Sequence, residues 1–150
     1  MPEYLETKAD KFTFRVATDR LYTPEGLWAR PETSTRVRVG FTDFMQQRSG
    51  DVAFISVKVP GTTVQAGDEF AELETVKVTQ GVPSPFAGTI LEVNKALDLT
   101  PEVVNRDPYG EGWLAVIEAA NWESDRAKLL DARAYLSVMQ SQIEQEVRSR

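Results

Sequence analysis

Between residues 52 and 118, short strand-like runs are interrupted at close intervals by glycine and proline, and this punctuation constrains the fold more than any other feature. The run 52–59 stops at Pro60-Gly61, 62–65 at Ala66-Gly67-Asp68, and 78–82 at Pro83-Ser84-Pro85; further runs cover 70–76, 89–93 and 113–118. Several of them alternate apolar with other residues, and β-branched side chains are frequent, as a pleated, half-buried surface requires. Upstream, Phe12, Phe14 and Val16 share one side of a strand-like run, and Arg36-Val37-Arg38-Val39 alternates again. Many short strands at regular spacing specify a mainly β sandwich or flattened barrel.

The flanks read differently. Residues 1–11 are polar and unpatterned, which suggests an arm. Thr42 can cap a short helix over 43–48 that Gly50 closes. The stretch 100–112 holds too many turn residues to be regular. A short helix is expected over 123–130 and a second from Ala132 onward, capped by Asp131. Leu136, Met139, Ile143 and Val147 give that second helix an apolar face that packs on the protein itself. The expected organisation is an arm at 1–11, a β domain at 12–122 and a C-terminal helical extension at 123–150.

Composition removes most chemistries. With no Cys and no His in 150 residues, the chain has no thiol nucleophile or dithiol, no Ser-His-Asp arrangement and no ordinary zinc site, and no metal site is expected. The 17 basic and 23 acidic side chains leave a net charge of −6, the wrong sign for binding nucleic acid. No apolar run reaches the roughly 20 residues that span a bilayer. The N-terminus has neither signal-peptide nor transit-peptide character, so the expected location is cytoplasmic. Asp68, Glu72 and Glu74 offer carboxylates, but alternate strand residues share a face, and Glu72 and Glu74 read as a solvated row. An enzyme is not expected. If redox chemistry is involved, an attached group must carry it.

Lys77 stands at the midpoint of two strand-like segments, Gly67 lying ten residues before it and Gly88 eleven after it. Such a frame places a lysine at a hairpin tip, where a side chain is presented rather than buried. Its amine there is a flexible nucleophile suited to amide formation. The bland alternative, a solubilising surface lysine, stands beside this.

The neighbouring residues carry a resemblance. The run Val64-Gln65-Ala66-Gly67-Asp68-Glu69-Phe70-Ala71-Glu72-Leu73-Glu74-Thr75-Val76-Lys77 looks like the lipoylation segment of the glycine cleavage H protein family. So do Pro83-Ser84-Pro85-Phe86-Ala87-Gly88, Asn105-Arg106-Asp107-Pro108-Tyr109-Gly110, Tyr22-Thr23-Pro24-Glu25 and Val39-Gly40-Phe41-Thr42-Asp43-Phe44. The similarity spans residues 21–135, with the motifs in order. It implies a lipoyl domain (barrel-sandwich hybrid) of two small antiparallel sheets with short flanking helices, and lipoic acid in amide linkage on Lys77. Glu74, Val76 and Val78 would be the recognition frame for the lipoate-protein ligase or lipoyl transferase. Valines rather than methionines beside the lysine favour lipoate over biotin.

The chain also departs from the family. Where the H protein reads Pro-Glu-His-Glu-Trp, this sequence has Pro24-Glu25-Gly26-Leu27-Trp28. The resemblance assigns that region, Gly26, Leu27 and Trp28, to the cleft that shelters the loaded arm, and two polar side chains are lost from it. With the added segments at both ends, these departures point to an H-protein-like subfamily of lipoate-binding proteins. Its arm would carry sulfur intermediates for a heterodisulfide-reductase-like complex. The alternatives are a genuine H protein, carrying an aminomethyl group among glycine decarboxylase, aminomethyltransferase and dihydrolipoamide dehydrogenase, and a non-lipoylated interaction module.

Overall fold

The computed structural model describes residues 3–148. Met1 and Pro2 of the expected arm, and Ser149 and Arg150 of the expected extension, lie outside them. Eleven strands among the described residues form three antiparallel sheets. The largest contains β3 (Leu21–Tyr22), β4 (Leu27–Pro31), β5 (Arg36–Phe41), β11 (Ala115–Ala119), β10 (Gly88–Val93) and β7 (Thr63–Val64), in that spatial order. A second contains β6 (Val52–Val57), β8 (Glu69–Thr75) and β9 (Thr79–Pro83). Val37, Val39, Ile90 and Ile117 from the first sheet share one buried cluster with Ile55, Phe70, Leu73 and Val82 from the second, so the two sheets sandwich a common core. The alternation that marks β8 in the sequence is the alternation of its burial: Leu73 faces the core while Glu72 and Glu74 face solvent.

A third sheet lies where an arm was expected. Residues Tyr4–Ala9 form β1 and pair with Phe12–Ala17, β2, in a hairpin running from Tyr4 opposite Ala17 to Ala9 opposite Phe12. The expected boundary between residues 11 and 12 falls at the end of this hairpin's turn, Asp10-Lys11. The segment looked unpatterned because its inward residues, Leu5, Thr7 and Ala9, include a threonine and an alanine, which carry little apolar signal.

The connections also hold more order than their turn residues suggested. Residues 100–112 include α3 (Val103–Arg106), and α2 (Ala96–Leu99) precedes them; each is a single turn, too short to show a helical period in the sequence. Asn105 accepts from Val52 N (2.9 Å) and donates to Gly50 O (3.0 Å) and Gln46 Oε1 (3.1 Å), which ties this connection to the start of β6. Helix α1 (Asp43–Ser49) begins as expected, with Thr42 Oγ1 accepting from Met45 N at 3.1 Å.

Helix α4 (Trp122–Arg126) is shorter than expected, and α5 (Ala132–Arg148) runs on from Asp131, whose carboxylate accepts from Ala134 N at 2.8 Å. The buried centre of α5 is Ala132, Tyr135 and Met139, with Leu136 and Ile143 at its sides and Val147 exposed. Its apolar face is thus turned by about one residue from the expected one, because Tyr135 buries its whole ring. These residues join Phe14, Val16, Tyr22, Trp28, Phe44 and Tyr109 in a second core, built on the outer side of β3 and β4. Trp28 pairs across the sheet with Gly40, and a Cβ there would stand 2.6 Å from the indole, so the ring lies flat only over a glycine.

Candidate functional site

The β8–β9 hairpin delivers Lys77 to the end of the molecule. Thr75 N donates to Val78 O at 2.8 Å, closing the tip, and the Thr75 hydroxyl accepts from Lys77 N (3.2 Å) and Val78 N (3.1 Å). Thr75 is buried while Val76, Lys77 and Val78 are exposed, Val76 at 91%. A buried hydroxyl therefore fixes the backbone that an exposed lysine rides on. Glu74 is exposed on the adjoining strand, between Phe54 and Thr79. Leaving two valines in water at a tip has no packing benefit, which makes them available to a recognising surface.

The exposed lysine side chain runs alongside Gly50. Its Cε, Cδ and Nζ lie 3.6–3.8 Å from the point a Cβ on Gly50 would occupy. No carboxylate pairs with its amine among the described residues. Beside it opens a cleft of about 410 Å³, with Leu27, Met45 and Val82 among its apolar walls and Glu25 and Arg48 as its charged groups.

The three residues expected at the cleft divide. Leu27 lines it and is itself almost fully buried. Trp28, next along the strand, points to the opposite face into the second core, where Nε1 donates to Pro108 O (3.0 Å) and the Arg20 guanidinium lies 4.6 Å from the ring. Gly26 forms the turn behind the wall with φ +96°, and a Cβ there would stand 3.1 Å from Met45 Cβ. A larger residue at position 26 would strain this turn as it stands.

Sequence reasoning missed Thr75, Met45, Arg48 and Gly50. Thr75 carried a legible signal, a threonine two residues before the turn centre; the other three reach Lys77 only through the placing of α1 against the hairpin. No group of metal-ligating side chains occurs among the described residues, and no helix there is long and apolar enough to cross a membrane.

Comparison with known proteins bears on this geometry. The family described as Glycine cleavage H-protein matches residues 20–142. A glycine cleavage system H protein of Thermus thermophilus is 42% identical over 127 residues, covering 85% of this chain and 98% of the relative. One from Mycobacterium tuberculosis is 44% identical over 125 residues, covering 80% and 93%. The crystal structure of a glycine cleavage system H protein from Mycobacterium marinum superposes with a TM-score of 0.71 at 34% identity, covering 80% of this chain and 95% of that one. These relatives favour the glycine cleavage alternative over the sulfur-oxidation reading.

Proposed function

Since the chain belongs to the glycine cleavage H-protein family, we propose that it is a lipoyl carrier of the glycine cleavage system, with the lipoyl group in amide linkage to Lys77 Nζ. The observation that carries this reading is the presentation of Lys77: an amine without an ion-pair partner among the described residues, on a braced hairpin tip between exposed Val76 and Val78, at the mouth of a cleft. When attached, the group supplies the disulfide and dithiol chemistry for which the chain has no cysteine of its own.

The protein's own residues hold and present. Thr75 keeps the tip in one conformation, and Glu74, Val76 and Val78 form the frame that a lipoate-protein ligase or lipoyl transferase reads. Leu27, Met45 and Val82 give the hollow beneath the tip apolar walls. The Glu25 carboxylate on the cleft suits an amine cargo, which is cationic at neutral pH. The protein is then a covalent substrate of glycine decarboxylase, aminomethyltransferase and dihydrolipoamide dehydrogenase in the cytoplasm, and not an enzyme.

One observation favours a second reading. Leu27 lines the cleft with an apolar side chain and Gly26 behind it offers none, at the two positions where the family motif has polar residues that could hold an amine. A carrier of sulfur species for a heterodisulfide-reductase-like complex fits that wall. Two measurements separate the readings. Intact mass after expression with lipoate and its ligase should rise by one lipoyl group in the wild type and not in Lys77→Arg. An unmodified wild type would overturn the carrier reading and leave an interaction module. The lipoylated protein should then support glycine decarboxylation with purified partners; a modified but inactive protein moves the cargo to sulfur.

A further inference from the structure

Lys77 borders a second hollow, which shares Arg48 with the cleft. This groove has a volume of about 400 Å³ and is lined by Phe12, Phe14, Phe44, Gln47, Arg48 and Glu146 together with Lys77 itself. Its walls come from β2, α1 and the end of α5. Phe14 and Phe44 are buried and meet edge to face, 5.2 Å apart at 85°. Phe12 stacks on Phe14 at 6.4 Å and remains 48% exposed, with the Lys11 ammonium 5.9 Å from its ring centroid. The β2 wall is fixed to α1 by Arg15 N donating to Asp43 Oδ2 (2.9 Å) and Gln47 Nε2 donating to Thr13 O (3.1 Å).

The charges of the two hollows differ. In the groove, Arg48 Nε is paired with Glu146 Oε1 at 2.8 Å, so these two charges offset each other, and three phenylalanines and Gln47 complete the lining around Lys77. In the cleft, Glu25 has no such partner among the described residues. A neutral sulfur ring gains contacts with aromatic faces and nothing from a free carboxylate, whereas a cationic cargo gains the reverse. We propose that the groove of Phe12, Phe14 and Phe44 is a resting seat for the uncharged dithiolane ring of the arm on Lys77, distinct from the cleft that receives a loaded arm. The seat rests on the lipoyl reading of Lys77. Arg48 lines both hollows, so the two seats share a wall.

The test uses the full-length lipoylated protein, with intact mass first establishing that the arm is present. In NMR spectra of the oxidised lipoylated and unlipoylated forms, the ring protons of Phe12, Phe14 and Phe44 should shift. Shifts confined to cleft residues such as the Met45 methyl would overturn the seat. Phe12 is half exposed, so Phe12→Ser should fold. Reduction of the dithiolane by a water-soluble phosphine should be about threefold or more faster in that variant than in the wild type, since a seated ring reacts only through its unseated fraction. Equal rates in a folded, fully lipoylated variant would sink the proposal while leaving the carrier reading intact. An unmodified Lys77 would instead sink the carrier reading.

Discussion

The two cores of this protein are built from different materials. The sandwich core is aliphatic at its centre, with Val37, Val39, Ile55, Leu73, Ile90 and Ile117 meeting across two sheets, and it contains no tyrosine. The second core is aromatic, and the polar tips of its rings are bonded: Tyr22 OH donates to Ala17 O (2.6 Å), Tyr109 OH to Arg15 O (2.7 Å) and Trp28 Nε1 to Pro108 O (3.0 Å). Tyr22 and Tyr135 stack at 4.8 Å, and Tyr135 OH meets the Thr42 hydroxyl at 3.1 Å. Thr42 also caps α1, the helix that carries Arg48 beside Lys77. The sandwich positions Lys77 through its own hairpin, and the aromatic core positions what surrounds it.

Alkaline pH should separate the two cores most strongly. Burial raises the phenols of Tyr22 and Tyr109 well above the usual tyrosine range and pushes Tyr135 up to about 12. Above about pH 10 the unfolded chain loses these protons while the folded chain keeps them. The stability the three contribute is therefore complete below that pH and is lost as pH rises through the folded values. The slope is up to about 1.4 kcal/mol per pH unit for each tyrosine. Denaturant unfolding from about pH 8 to about pH 11.5, followed at the tyrosinate absorbance, should show this decline; a flat profile would mean that the phenols are not buried.

Truncation should divide them by mechanism. Trp28→Ala should cost about 3–5 kcal/mol and Ile117→Ala about 2–5 kcal/mol by denaturant unfolding. The tryptophan variant should also lose near-ultraviolet dichroism from the tyrosines it packs near, and the isoleucine variant should keep it. Equal spectral loss in both would show the two cores to be one cooperative unit at the level of packing. The smallest effect is expected at Tyr135→Phe, which removes only the bond to Thr42, at about 1 kcal/mol. Added to Thr42→Ala, it should be clearly less than additive, since the two hydroxyls meet in one bond.

The same contrast explains what was legible in the sequence. The sandwich follows from a period of two along each strand and from Gly and Pro at each turn, which are local signals; the hairpin and the tip position of Lys77 follow with it. The aromatic core follows from no local signal. Tyr4 to Ala9 acquires a strand's identity from β2 and α5, and Tyr22, Tyr109 and Tyr135 meet from three distant parts of the chain. The cleft was legible only in part, because Leu27 and Trp28 share a motif but lie on opposite faces of one strand. Arg48 was invisible as a neighbour of Lys77, since its position depends on α1 docking beneath the tip.

The long reach of α5 has a consequence for the order of assembly. The groove beside Lys77 needs Phe12 from near the start of the described chain and Glu146 from near its end. During synthesis the sandwich, complete at β11, can close while α5 is still to be made. Lys77 is then presented on a finished hairpin beside a groove that still lacks Glu146, its one lining residue from α5. A modifying enzyme meeting the nascent chain would find the lysine unobstructed on the side that α5 later encloses.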